Sequence, residues 1–254
     1  MYVEVLAKAA REAGRLVWEM FIKGEGLEEV RRGDVDVTRR VDAAAEAAVL
    51  EVLRREIGSF TLLSEEAGLV KFGGGDLLVV VDPLDGSANF ALGIPYFAVM
   101  LAAGVGARRL EDLAESAIYI PAAGRLYTAD PQRGLLINGV PVKPRERPEP
   151  VVFVELGRRF PFKSLRVPLA AGYKLRSGGC AGCQLLASAL GAAAGYVDVR
   201  RRLGPWDVAA PLVAGRYNPR FRYCVREADL RHDARVDIVA GHVDFVEKTC
   251  SLLL

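Results

Sequence analysis

Two aspartates three residues apart, Asp82 and Asp85, are the first candidates for chemistry in this sequence. The apolar run Leu77–Val81 precedes them and is typical of a buried strand that ends on a carboxylate. Because Pro83 fixes φ and lacks an amide donor, we expect this strand to stop at Asp82. The Asp-Gly-Ser turn that follows predicts free amides beside two carboxylates, which suits a divalent cation together with a phosphate. An Asx turn in which Asp85 caps a helix is the alternative interpretation.

Other acids lie at the predicted ends of strands and helices. Glu65 follows a short apolar strand and neighbours Glu66, and a site that holds adjacent carboxylates usually supplies a cation. Asp42 and Glu46 are four residues apart in a helical pattern, so they share a face. Solvated acids paired with nearby arginines are the alternative for these two, and a simple N-cap is the alternative for Asp207. Spacing alone does not bring these acids together.

Length and composition define the elements that must position these residues. The 254 residues suffice for one large domain or two modest ones. A proline- and charge-rich stretch at 141–150 predicts an N-terminal α+β domain over 1–147, which carries most of the candidate acids. A C-terminal α/β domain over 148–254 follows it and carries Asp207. The strands and helices predicted for both halves indicate a mixed α+β or α/β fold.

Charge and hydropathy limit the expected partners and compartment. The net charge of +2 is too small to make nucleic acid or an anionic membrane the expected partner. The sequence has neither a signal-peptide pattern nor an apolar span of membrane length, so we expect a cytoplasmic protein that does not bind membranes. Asn and Gln are scarce, which is typical of a hot-adapted (thermophile) source.

The cysteines Cys180, Cys183, Cys224 and Cys250 do not match a zinc-ligand pattern, because the Cys-x-x-Cys pair lacks a second pair at usable spacing. We interpret them as packing thiols. A structural disulfide is the alternative if the source is hyperthermophilic.

Residues 82–90, DPLDGSANF, resemble the signature of the inositol monophosphatase family. This family belongs to the metal-dependent, lithium-sensitive phosphatases that include fructose-1,6-bisphosphatases. Further matches occur in the same order as in the family and cover nearly the whole chain: Ser64-Glu65-Glu66, Asn138-Gly139, Arg176-Ser177 and Trp206-Asp207-Val208-Ala209-Ala210. The resemblance implies a layered αβαβα sandwich of the sugar phosphatase type, with the active site between its two halves, and usually a homodimer.

The resemblance also implies two or three Mg²⁺ ions per active site, with Mn²⁺ as a possible substitute. Glu65, Asp82 and the Leu84 carbonyl would hold the first ion. Asp82, Asp85 and Asp207 would hold the second, and Glu65 would help to place a third. Hard oxygen ligands of this kind favour Mg²⁺ or Mn²⁺ over zinc.

The catalytic and phosphate-binding roles come from the same resemblance. The amides of Gly86 and Ser87 would cradle the phosphate of the substrate. Asp42 and Ser87 would orient and deprotonate the attacking water, while Glu65 assists through its ion. The family usually has Thr where Ser87 stands. Since the hydroxyl is retained, we expect the role to be retained.

Three arginines bear on the choice of substrate. Inositol-specific relatives place a Glu at the position of Arg200, seven residues before Asp207. Because arginine prefers a second phosphate to a hydroxyl, Arg200, Arg201 and Arg202 are candidates for binding the distal phosphate of fructose 1,6-bisphosphate. This resembles archaeal members that act on both substrates. Surface arginines paired with acids are the alternative.

The leading functional prediction is therefore hydrolysis of sugar or polyol phosphate monoesters by a metal-activated water. Inositol monophosphate and fructose 1,6-bisphosphate are the expected substrates. A phosphatase for 3′-phosphoadenosine 5′-phosphate or another nucleotide is the alternative enzyme. A non-catalytic regulatory or RNA-associated protein on the same fold is the alternative of another class.

Overall fold

Two β-sheets alternate with three layers of helices. The computed structural model describes residues 1–32, 37–157 and 161–254. The outer helices of the N-terminal half are α1 (Val3–Lys23) and α2 (Arg40–Glu56). Between them, β1 (Glu29–Arg32) and β2 (Val37–Arg39) form an antiparallel pair. The apolar residues of α1 recur at helical spacing, as the sequence predicts, and the helix ends where Gly24 adopts a left-handed conformation.

The larger sheet has eight strands in the order β10-β9-β8-β7-β6-β5-β3-β4. Only β3 and β5 run parallel, and the other neighbouring pairs are antiparallel. Every residue of β5 is buried, which explains its continuous apolar run. Its strands are β3 (Phe60–Ser64), β4 (Gly68–Phe72), β5 (Leu77–Asp85), β6 (Ala98–Val105), β7 (Glu115–Ile120), β8 (Arg125–Asp130), β9 (Gly134–Ile137) and β10 (Val140–Pro141).

The smaller sheet has five strands in the order β12-β11-β13-β15-β14, in which β11 runs parallel to both of its neighbours. Its strands are β11 (Glu149–Val154), β12 (Lys174–Arg176), β13 (Ala193–Leu203), β14 (Phe221–Val225) and β15 (Val236–His242). The remaining helices are α3 (Ser87–Ala91), α4 (Lys163–Ala170), α5 (Ala181–Ala189), α6 (Pro205–Gly215) and α7 (Val243–Leu253).

Three apolar cores fill the spaces between the five layers. The first lies between α1, α2 and one face of the larger sheet. The second surrounds α5 and α6, which pack against both sheets, and the third lies between the smaller sheet and α4 and α7. This arrangement confirms the predicted αβαβα sandwich. The boundary at 147/148 falls between the two sheets, and the division into two domains stays a prediction because the middle helices share a core with both.

The predicted end of β5 at Asp82 is wrong. The strand continues through Pro83 to Asp85. Its pairing with β6 shifts register between Asp82 and Asp85, and a proline is tolerated at such an irregularity because no ladder hydrogen bond is required there. The consequence is that both aspartates belong to one rigid strand.

The reading of all four cysteines as packing thiols needs a correction. Cys224 in β14 and Cys250 in α7 form a disulfide across 26 residues of sequence. Cys180 and Cys183 are free and buried, as expected of packing thiols. Among the described residues, the helices are either too short or too polar to cross a lipid bilayer.

Candidate active site

The ends of two parallel strands and the start of one helix bring the predicted acids together. Ser64 at the end of β3 is opposite Val81 of β5, so Glu65 follows at the level of Asp82. Asp207 lies in the first turn of α6, where its Oδ2 accepts a hydrogen bond from the Gly204 amide at 2.6 Å. Carboxylate oxygens of Asp82, Asp85 and Asp207 lie within 4.8 Å of one another.

The acids of this cluster disfavour one another's ionisation. Burial raises the pKa of Asp82 well above its usual value, and the neighbouring carboxylates of Glu65, Asp85 and Asp207 raise it further. The Leu84 amide donates to Asp82 Oδ1 at 3.0 Å and opposes this shift. Asp82 Oδ2 is buried and has no hydrogen-bond partner in the described part of the chain. A bound cation would stabilise a buried carboxylate oxygen in that position.

The residues present fit a hard divalent cation. The cluster offers only carboxylate oxygens, together with Leu84 between the two aspartates of β5, and Mg²⁺ and Mn²⁺ prefer such ligands. A bound cation would neutralise the repulsion that raises the pKa of Asp82. Three of the five predicted metal-binding residues, Asp82, Asp85 and Asp207, therefore meet in space, and Glu65 is near enough for its charge to raise the pKa of Asp82. Their role as ligands stays a prediction.

Asp85 is held by the N-terminus of α5. Its Oδ1 accepts from the Ala181 amide at 3.0 Å, and its Oδ2 accepts from the Gly182 amide at 2.7 Å and the Cys180 thiol at 2.9 Å. A side chain at position 182 would overlap Met100 and crowd Asp85, so glycine permits this close approach. Burial raises the pKa of Asp85, and these donors counteract the rise. Sequence analysis missed these contacts, which join the two halves of the chain.

The turn after β5 has the conformation that its glycine allows. Gly86 has a φ of 91°, and a side chain there would lie 2.9 Å from the Tyr96 carbonyl oxygen. Ser87 opens α3, whose first amides have no intrahelical acceptors. Gly86 and Ser87 are half-buried at the surface of the site. This geometry is compatible with the predicted phosphate cradle, which stays a prediction.

Asn89 connects this turn to the opposite half of the protein. Its Nδ2 lies within hydrogen-bond distance of the carbonyl oxygens of Tyr96 (2.8 Å), Gly178 (2.8 Å) and Gly179 (3.1 Å). The last two precede α5 in the chain, so the amide fixes the turn at residues 86–87 relative to the loop before α5. Asn89 lies in the stretch 82–90 that resembles the family signature, which was the only signal for this contact.

The two acids of α2 have different partners. Asp42 is buried, and its Oδ2 accepts from the Arg39 amide at 2.6 Å, which caps the helix. Glu46 accepts from the Ser64 hydroxyl and, at 3.1 Å, from the Ala67 amide. Glu46 thus fixes both sides of the turn that carries Glu65. The water-activating role of Asp42 stays a prediction.

The three arginines differ in exposure and in contacts. Arg200 donates from Nε to Asp198 Oδ1 at 2.9 Å, from Nη2 to Oδ2 at 2.5 Å, and from Nη1 to the Leu156 carbonyl at 2.9 Å. Its side chain is only 14% exposed. Arg201 and Arg202 are exposed at a bulge of β13, where Arg201 has a φ of 57°. The alternative interpretation, an arginine paired with an acid, therefore applies to Arg200. Contact of any of the three arginines with a substrate stays a prediction.

Glu155 is a buried acid near the site that sequence analysis missed. Gln184 donates to its carboxylate from Nε2 and accepts from the Gly178 amide at 2.7 Å. Burial raises the pKa of Glu155 to about 7, although the Gln184 hydrogen bond and the charge of Arg200 oppose the rise. Glu155 is thus connected to the loop before α5 through Gln184, and Arg200 is near enough for its charge to lower the pKa of Glu155.

Structural comparison places this fold in the class of the inositol monophosphatase-type structures. The extragenic suppressor protein SuhB from Bartonella henselae superposes with a TM-score of 0.83 at 25% identity, covering 98% of this chain and 97% of that one. The MJ0109 gene product, an inositol monophosphatase-fructose 1,6-bisphosphatase, also has a TM-score of 0.83, at 21% identity with complete coverage of both chains. At that identity the second comparison concerns the fold alone.

Sequence comparison agrees with the structural one. The profile of the inositol monophosphatase family matches residues 2–214, and the chain belongs to this family. The Nus factor SuhB from Escherichia coli K12 is 29% identical over 221 residues, which cover 82% of this chain and 79% of that protein. A protein of the same name from Pasteurella multocida is 29% identical over 218 residues with the same coverage. The family is one of Mg²⁺-dependent phosphatases, as the resemblance implied.

Proposed function

We propose that this chain is a Mg²⁺-dependent phosphoric monoester hydrolase for sugar or polyol phosphates, with inositol monophosphate and fructose 1,6-bisphosphate as its leading substrates. The observation that carries the proposal is the meeting of Asp82, Asp85 and Asp207 around a buried carboxylate oxygen that has no hydrogen-bond partner among the described residues. Family membership supports the reaction class. The two activities in the name of the MJ0109 product support the substrates by analogy of fold only.

The metal centre in this proposal uses the acids at the ends of β3, β5 and the start of α6. Glu65, Asp82 and the Leu84 carbonyl would hold one ion, Asp82, Asp85 and Asp207 would hold another, and Glu65 would contribute to a third. When bound, Mg²⁺ neutralises charge on the attacking and leaving oxygens of the phosphate ester and lowers the pKa of a bound water.

The chain's own groups bind the phosphate and move the proton. The amides of Gly86 and Ser87 lie at a turn whose donors have no helical acceptors, so they orient the phosphate group. Ser87 presents its hydroxyl at the same half-buried position. Asp42 is buried and acts as the acceptor of the water proton, relayed through Ser87. Substituting Ser87 with Thr should preserve activity, whereas Ala should lower it about 10²–10⁴-fold.

A substrate panel tests this function. Phosphate release is measured with Mg²⁺ and inositol 1-phosphate, fructose 1,6-bisphosphate or 3′-phosphoadenosine 5′-phosphate, for the wild type and for Asp207→Asn as the matched inactive control. We expect release from the first two substrates and none from the variant. Faster release from the nucleotide than from the two sugar phosphates would favour the alternative assignment, a nucleotide phosphatase. Equal release by Asp207→Asn would refute the metal assignment.

The arginines are tested by a ratio. We expect Arg200→Ala, Arg201→Ala or Arg202→Ala to lower kcat/KM for the bisphosphate by about ten- to a hundred-fold relative to the monophosphate, if that side chain binds the distal phosphate. The exposed guanidinium groups of Arg201 and Arg202 are free to reach a ligand, whereas Arg200 is already paired with Asp198. An unchanged ratio in all three variants would remove this role and leave the phosphatase assignment intact.

The names of the SuhB relatives favour a second candidate, a regulatory role that does not require catalysis. The two functions separate cleanly, because Asp207→Asn abolishes phosphate release and should leave a non-catalytic role unchanged. We further propose that the protein is a cytoplasmic homodimer, as is usual in the family. Sedimentation at micromolar protein concentration measures this state.

A further inference from the structure

The N-terminus of α5 places two thiols beside a predicted Mg²⁺ ligand. Cys180 is the N-cap of the helix and Cys183 lies in its first turn, and both are free and buried. The Cys180 Sγ is 2.9 Å from Asp85 Oδ2. One ligand atom from each of Asp85, Cys180 and Cys183 lies within 4.8 Å of the other two. Asp85 therefore belongs to two clusters, one of three carboxylates and one that contains two sulfurs.

The donor types of the two clusters select different metals. Carboxylates alone suit Mg²⁺, whereas two thiolates and a carboxylate suit thiophilic ions such as Zn²⁺, Co²⁺ or Cd²⁺. Around a tetrahedral zinc, the bond lengths place two sulfurs about 3.8 Å apart and a sulfur and an oxygen about 3.5 Å apart. In this structure the three ligand atoms all lie within 4.8 Å of one another, and Cys180 Sγ is 2.9 Å from Asp85 Oδ2. Asp207 is half-buried, so the shared cluster meets solvent on its side.

We propose that Asp85, Cys180 and Cys183 form a second metal site for a thiophilic divalent cation, and that its occupation inhibits the Mg²⁺-dependent reaction. On binding, each thiol releases its proton to solvent and becomes a thiolate ligand, and Asp85 turns an oxygen toward the new ion. The inhibition rests on the proposed function, because both sites need Asp85 and two close dications repel. The metal site itself does not.

Cobalt spectroscopy tests the site without any assay of activity. Co²⁺ is added to the full chain in a non-thiol reductant, which keeps Cys180 and Cys183 reduced. We expect a near-ultraviolet thiolate-to-cobalt band that saturates at one ion per chain and disappears when Zn²⁺, which binds more tightly, is added. Cys180→Ser or Cys183→Ser should abolish the band. Asp207→Asn is the matched control and should retain it, since Asp207 lies outside the sulfur cluster.

Two results would overturn the site: no band in the wild type at millimolar Co²⁺, or a band that persists in the double variant of Cys180 and Cys183. Because the reductant also opens the Cys224–Cys250 disulfide, all of these titrations are made in the Cys224→Ser/Cys250→Ser background, which removes the competing thiols. Circular dichroism checks that each variant is folded, and Cys183→Ala provides a second substitution that leaves the Cys180–Asp85 contact in place.

The inhibition is measured as phosphate release from inositol 1-phosphate at saturating Mg²⁺ and increasing Zn²⁺. We expect the Zn²⁺ concentration for half-inhibition to rise about 10–100-fold in Cys183→Ala. Equal inhibition of wild type and variant would refute the regulatory link. Absence of phosphate release from the wild type under all conditions would refute the proposed function instead, and the cobalt band would still decide whether the metal site exists.

Discussion

Replacing Asp82 with Asn should stabilise the metal-free protein and abolish its catalysis. Asp82 is buried, its Oδ1 accepts the Leu84 amide, and its Oδ2 lacks a hydrogen-bond partner in the described structure. Asparagine has nearly the same shape and keeps an oxygen for the Leu84 amide. Its NH₂ group can donate to the neighbouring carboxylates, whereas the native oxygen repels them. The substitution therefore replaces a repulsion with an attraction, at the expense of a charged metal ligand.

The size of the effect follows from the separation of the charges. Two unit charges 4.8 Å apart repel by about 3.5 kcal/mol at an effective dielectric constant near 20. The raised pKa of Asp82 shows that the cluster relieves part of this repulsion by retaining a proton. We therefore expect a net stabilisation of about 1–3 kcal/mol near neutral pH. In a protein of this size, that raises Tm by about 2–10 °C.

The assay is thermal unfolding of chelator-treated wild type and Asp82→Asn, with and without Mg²⁺. Mg²⁺ should raise the Tm of the wild type, since it binds only the folded state, and should raise that of the variant much less. Asp130→Asn is the matched control. Burial alone would raise the pKa of Asp130, but the amide and guanidinium of Arg133 hold it below its usual value. Loss of the Asp130 charge in this control should lower the free energy of unfolding by about 1–3 kcal/mol.

The pH dependence gives the prediction a definite sign. Because the folded-state pKa of Asp82 is raised, the folded protein keeps a proton that the unfolded chain has lost. The stability of the metal-free wild type therefore falls as the pH rises above the ordinary carboxyl pKa. The advantage of Asp82→Asn should vanish in acid and grow toward neutral pH. A variant that is less stable than the wild type at neutral pH, or equally stabilised by Mg²⁺, would refute this reasoning.

Two further predictions concern groups outside the carboxylate cluster. Burial raises the pKa of Glu155 to about 7 in the folded state, so its ionisation destabilises the fold as pH rises from about 4.5 to about 7. Across that pH range, the unfolding free energy of Glu155→Gln in urea should gain on the order of 2–3 kcal/mol relative to wild type. Parallel plots of unfolding free energy against pH for the two proteins would contradict the assignment. Reducing the Cys224–Cys250 disulfide, which closes 26 residues, should cost about 3–4 kcal/mol of unfolding free energy. The Cys224→Ser/Cys250→Ser double variant should match the reduced protein and be insensitive to reductant.

Much of the fold could be predicted because its signals are local. The helical spacing of apolar residues in α1 and the apolar run of β5 each follow from what one element buries. The candidate acids Asp82, Asp85 and Asp207 could be found for a similar reason, since each lies within one turn or three residues of the end or start of an element. Their convergence was not local, and only the order of matched motifs along the chain predicted it.

The contacts that position the site could not be predicted, because each joins residues far apart in sequence. Glu46 in α2 holds Ser64 at the end of β3, and Asn89 reaches a carbonyl almost ninety residues away. The end of β5 was misplaced for a related reason. Pro83 would interrupt the strand only if its amide were needed for a hydrogen bond to β6. The register between β5 and β6 shifts at this point, so no such hydrogen bond is needed.

The two aspartates of β5 show how equal residues acquire unequal roles. Both are buried at the end of the same strand, and burial raises the pKa of both. Asp85 receives two amide donors and a thiol from α5, so much of its charge is compensated by the protein itself. Asp82 receives one amide and three neighbouring carboxylates. Asp82 is therefore the aspartate that a bound cation would stabilise most, which makes its substitution the most sensitive test of the metal centre. Asp85 is already in contact with sulfur, so it is the residue through which a competing metal would act.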